Sequence, residues 1–142
     1  MVIENSVGSM DVAAPRKLLT ELRHALLGLH KMLLETEREA YVRLHGQVSS
    51  GEMLRLVLEH EQFAWLRFVS GLVVTIDELL DYDDPLDKTE VDNVLAEARK
   101  LLTPAQISKS FEEKYQAALQ NDAATIMKHR DIRELLTSTL AN

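Results

Sequence analysis

The chain has 142 residues, a formal net charge of −7 and no cysteine. That length suits one domain, burying roughly two-thirds of its unfolded surface. The acidic balance disfavours nucleic acid and anionic membranes as partners, and the missing thiols exclude disulfides, thiolate zinc sites and cysteine nucleophiles.

Five glycines and three prolines leave few breaks, and Leu, Ala, Glu, Lys and Arg dominate. These are strong helix formers, so the expected fold is all-α. Residues 1–14 have no period and read as a flexible leader, without the basic start and apolar stretch of a signal peptide. Residues 15–142 then form a single helical-bundle domain. Pro15 is suited to a helix start, where its missing N–H costs nothing. From there Leu18, Leu22, Leu26, Leu29, Leu33, Ala40 and Leu44 recur at helical spacing, predicting a helix over about 15–45. Gly46 closes it as a left-handed cap.

Ser49 and Glu52 make a capping box that opens a second helix, predicted to run unbroken over about 50–81. The short link makes the two an antiparallel hairpin. Phe63–Leu80 is the richest apolar run in the chain, yet Arg67, Asp77 and Glu78 forbid a membrane span. Asp81–Lys88 reads as a loop broken by Pro85. Its aspartates superficially suggest a calcium loop, but Pro85, Leu86 and Asp92 occupy the third ligand, glycine and final glutamate positions. A third helix follows from a Thr89 cap (Val91, Val94 or Leu95, Ala98, Leu102). A fourth starts at Thr103-Pro104 (Ile107, Phe111, Tyr115, Ala118). Asn121-Asp122 breaks the chain and caps a fifth (Ile126, Ile132, Leu135, Leu136, Leu140). Three shorter helices thus pack on one long hairpin.

On a helical wheel Leu54, Leu58, Trp65, Leu72, Ile76 and Leu79 form one stripe of the second helix, with Glu61 in its middle. Leu56, Phe63 and Val74 form a thinner stripe opposite, beside the small Ser70 and Gly71. A helix apolar on two sides is packed on both, by its own bundle or by a second copy. Leu56, Phe63, Ser70, Gly71 and Val74 are therefore the candidate interface residues.

On the first helix His30 and Glu37 share one face with Leu33, Leu34 and Tyr41. Antiparallel pairing brings this face towards Glu61, giving a candidate polar ligand site of His30, Glu37, Tyr41 and Glu61 with Trp65 in its wall. The competing reading is a satisfied hydrogen-bond cluster inside the bundle, since a buried carboxylate needs partners. A di-iron site needs two Glu-x-x-His pairs; the chain has one, Glu21 and His24, pointing away from the leucine stripe. No metal set, cofactor motif, phosphate loop or nucleophile elbow is present.

The stretch His45-Gly46-x-Val48-Ser49-x-Gly51-Glu52, followed by Phe63-Ala64-Trp65-Leu66-Arg67, Ser70 and Ile76-Asp77-Glu78, resembles a small family of uncharacterised bacterial helical proteins. The resemblance covers the second helix and its approach, and implies a bacterial cytosolic protein without an assigned activity. The expectation is a non-enzymatic protein that acts by protein–protein contact, as a homodimer. The alternative is a small-ligand or metal-binding bundle with its site between the first two helices.

Overall fold

A computed structural model describes the backbone of residues 2–81 and 85–140, and the side chains of 14–81 and 85–138. Over these residues the chain is all-α: α1 (Val2–His45), α2 (Ser50–Glu59), α3 (Arg67–Leu80), α4 (Lys88–Arg99), α5 (Lys109–Asn121) and α6 (Ala123–Leu140). The leader expected over 1–14 falls, apart from Ala14, on side chains outside the described residues. The helical backbone starts at Val2, so Pro15 lies inside α1 rather than at its start. It removes one ladder hydrogen bond there.

The largest departure from expectation is in the second helix, which is not continuous. It breaks at His60, whose backbone is extended (φ −80°, ψ 135°). His60 closes α2 by donating its N–H to the Leu56 carbonyl at 2.8 Å. Its Nδ1 then accepts the Gln62 N–H at 3.1 Å, capping the 3-10 turn Glu61–Leu66 that leads into α3. An imidazole in the capping role offsets the donor that the break orphans. Gly46 behaves as expected, with φ 87°, and Ser49 Oγ accepts the Glu52 N–H at 3.1 Å.

Other boundaries shift by a few residues. Asp87, not Thr89, caps α4, accepting the N–H groups of Thr89 (2.8 Å) and Glu90 (3.3 Å). Thr103-Pro104 opens only the short 3-10 turn Pro104–Gln106, and Ser108 caps α5 through the Phe111 N–H at 2.9 Å. Asp122 caps α6 as expected, taking the Ala124 N–H at 3.0 Å.

α1 is the spine, flanked by α3 on one side and α6 on the other. Leu19, Leu22, Leu26, Leu29 and Leu33 supply its buried face. α1 and α3 run antiparallel: the Arg16 guanidinium reaches the Leu80 carbonyl, Arg23 pairs with Asp77, and Glu37 meets Trp65. The expected hairpin therefore exists between α1 and α3, while α2 stands apart as a separate short helix. Against α6, the stem of Lys128 lies where a Cβ on Gly28 would stand, 3.0 Å from its Cε. Helix α4 adds Val91, Val94, Leu95 and Ala98 to the core, α5 adds Phe111, Tyr115 and Ala118, and α6 adds Ile132 and Leu136. Ile126, expected in the core, is half exposed.

The break re-aims the residues on either side of it. The predicted stripe loses Leu54 and Leu58, which are 61% and 63% exposed, while Leu72, Ile76 and Leu79 keep it. Phe63, expected at an interface between copies, is fully buried in the core of a single chain. Its replacement therefore tests folding rather than assembly. We expect Phe63→Ala to cost about 3–5 kcal/mol in urea unfolding. A cost below about 1 kcal/mol would show that the ring is not packed as described.

Candidate functional site

The polar cluster between α1 and the 3-10 turn is built around Glu37, whose side chain is only 13% exposed. Its Oε1 accepts the Trp65 indole N–H at 2.9 Å, and its Oε2 accepts the Gln62 amide at 2.8 Å. The same amide lies 3.4 Å from the Glu37 carbonyl. From α5, the Lys114 ammonium stands 3.8 Å from Oε1 and donates to the Gln62 carbonyl at 3.1 Å. One carboxylate thus meets an indole, an amide and a cation from two other elements. Charge-assisted bonds of this kind are stronger than neutral ones, and the shared partners fix how the elements meet.

Of the five residues expected to form a ligand site, the structure joins only Glu37 and Trp65 directly. Tyr41, one turn along α1, belongs to a neighbouring ring group, with its centroid 4.3 Å from His45, 5.7 Å from His60 and 6.2 Å from Phe63. Glu61 is exposed, because the break at His60 turns its side chain out and Gln62 in. His30 is half-buried two helical turns before Glu37, and burial lowers its pKa. Gln62, His60 and Lys114 were not expected. Gln62 is one residue from the predicted Glu61, a shift the extended residue at 60 produces; Lys114 depends on the docking of α5, which no local pattern foretells.

Of the interface set, Leu56 is half-buried against the core, Ser70 is half-exposed, and Gly71 and Val74 face solvent. Gly71 has open space where a Cβ would be, and Val74 is 54% exposed. These two residues remain surface; Phe63 does not.

A ladder of rings carries the Glu37 cluster on into the bundle. Trp65 meets Phe111 edge-on at 5.5 Å, as does Phe68 at 5.6 Å, and Phe111 stacks on Tyr115 at 5.4 Å. Tyr115, fully buried, shares a 2.7 Å hydrogen bond with Nδ1 of His129 on α6. Burial drives the phenol pKa far up, so Tyr115 stays protonated and can donate to a neutral imidazole. Burial first, and the Arg133 charge second, lower the His129 pKa and favour that neutral form.

Glu21 and His24 are exposed, as expected, and line a groove of about 370 Å³ between α1 and α6, beside Asp131 and Glu134. Among the described residues no three His, Asp or Glu side chains gather as metal ligands. Among the described residues no helix is long and apolar enough to cross a membrane. Comparison with protein-family models, with curated proteins and with solved structures gave no match.

Two outcomes test this site. The Glu37→Ala and Trp65→Phe pair should couple by about 1–2 kcal/mol in a double-mutant cycle; additivity within about 0.3 kcal/mol would dissolve the contact. The depressed pKa values of His30 and His129 make the unfolded chain the better proton acceptor. Stability is therefore greatest above the ordinary histidine range and falls as pH drops through about 6.5 towards the folded values. In urea titrations at pH 7.5 and pH 5, His129→Gln should lose less stability than the parent, and an unchanged pH dependence would contradict the assignment.

Proposed function

We propose that this chain is a non-enzymatic helical module that acts by protein–protein contact, assembling as a homodimer through α2. The observation that carries the reading is that α2 contains no buried residue although it is strongly amphipathic. Its inward face, Met53, Leu56 and Val57, only half covers itself against the core. Its outward face carries Leu54 and Leu58, four residues apart and both more than 60% exposed. Gly51, three residues before Leu54, has open space around it, which would let another helix approach closely. Leu44, at the end of α1, is a further exposed leucine, 80% open to solvent. Exposed leucines paired on one helical face, as Leu54 and Leu58 are, mark contact sites.

A second copy suits this face through its charges. Seated antiparallel about a two-fold axis, Leu54 of each copy meets Leu58 of the other, and Arg55 comes within reach of Glu59. The pairing is self-complementary, as a two-fold interface requires. The alternative, a ligand site beside Glu37, draws less support because that carboxylate already has an indole, an amide and an ammonium group around it. The resemblance of the His45–Glu78 stretch to bacterial helical proteins supports a place in the bacterial cytoplasm.

Sedimentation velocity at tens of micromolar should give twice the 16.1 kDa chain mass. Leu54→Glu with Leu58→Glu should return it to the single-chain mass with an unchanged helical spectrum. A parent that sediments as one chain, or a double variant that still dimerises, would overturn the reading.

A further inference from the structure

The break at His60 is held by a hydrogen bond that only one charge state of the ring can make. Nδ1 accepts the Gln62 N–H at 3.1 Å, so the neutral ring carries its proton on Nε2. A protonated ring has no acceptor left, and would set two donors against each other across the same gap. Imidazole is the side chain whose ordinary charge change falls between about pH 5 and 8. The residue is exposed, with its ring edge-on to Tyr41 at 5.7 Å and Phe63 at 6.3 Å, so it meets protons directly.

The two sides of this joint are unequally held. The 3-10 turn beyond His60 buries Phe63 and Leu66 and places Gln62 and Trp65 on Glu37. Helix α2 before it buries no residue. Weakening the joint therefore frees α2 and leaves the turn in place. Charged and titratable groups approach the joint from every element that meets it. From α1 come Tyr41, with His45 at its ring, and Glu37, which accepts the Gln62 amide. Glu59 and Glu61 flank His60 in the chain. Arg67 of α3 donates to the Leu58 carbonyl, and Lys114 of α5 to the Gln62 carbonyl. These bonds fall on the neighbours of His60, whereas the bond at Nδ1 is the ring's own hold on the turn.

We propose that His60 is a proton-operated latch on α2. Neutral, it fixes α2 against the bundle; protonated, it lets α2 loosen. The latch does not depend on the α2 interface. Its consequence for assembly, a weaker dimer in acid, rests on that reading.

The test is amide hydrogen exchange, followed by NMR on the full-length protein at pH 7.5 and pH 5. Results are expressed as protection factors, which divide out the intrinsic pH dependence of exchange and report local opening. Loss of one side-chain cap shifts such an opening by roughly two- to thirtyfold. In the parent, the factors at Val57, Leu58 and Glu59 should fall about fivefold on acidification. His60→Asn offers an acceptor at either pH and should hold them within about twofold. His60→Lys, cationic and without an acceptor, should show the lowered factors already at pH 7.5. His129→Gln should leave the fall of the parent intact. An equal fall in the parent and in His60→Asn, or no fall in the parent, would overturn the proposal. Sedimentation of the same samples reads assembly separately. A single chain throughout would overturn the dimer and leave the latch standing, and a dimer with unchanged protection would do the reverse.

Discussion

Everything in this fold depends on one extended residue. At His60 the chain leaves α2 and re-enters helical geometry one residue later as a 3-10 turn. Without that step Phe63 and Leu54 would lie on opposite sides of one long rod. With it, Phe63 and Leu66 turn into the core, Gln62 and Trp65 swing onto Glu37, and Leu54 and Leu58 are left facing water. The Glu37 cluster is the lock on that arrangement, holding the 3-10 turn against α1. Lys114 extends the lock to α5. Polar contacts buried at such a junction do more for uniqueness than for net stability, because each partner must be met in one geometry only.

The helical class, the leucine face of α1, the Gly46 cap, the Ser49 cap and the Asp122 cap were all legible in the residues, since each rests on local spacing or local hydrogen bonding. The break at His60 was not. Its flanks, Leu58-Glu59 and Glu61-Gln62, are ordinary helix residues, and no glycine or proline marks the place. What decides it is tertiary: Phe63, Leu66 and Trp65 find places in the core and against Phe111 that a straight helix would not give them. The same reason explains the site. Glu37 stands out in the sequence as a carboxylate on an apolar face, with Trp65 in its wall. A continuous wheel points to Glu61, and the break makes its neighbour Gln62 the residue that arrives. His30 is on the expected face but too far along α1 to join. The interface residues rest on the same continuous wheel, and with the break Phe63 lies inside while Gly71 and Val74 stay on the surface.

The chemistry therefore divides between inside and outside. Inside, the carboxylate, the ring ladder and the Tyr115–His129 pair engage one another, which is the pattern of a structural network. Outside, Leu54 and Leu58 leave an apolar strip on α2 facing water.

The central claim is that α2 pairs with α2 of a second copy, and the absence of native cysteine makes it directly measurable. Single-cysteine variants Leu54→Cys and Leu58→Cys would be mixed and oxidised under mild conditions. The account predicts that the mixed sample forms a disulfide between copies faster than either variant alone, because residue 54 of one copy faces residue 58 of the other. Equal, slow cross-linking in all three samples would contradict it.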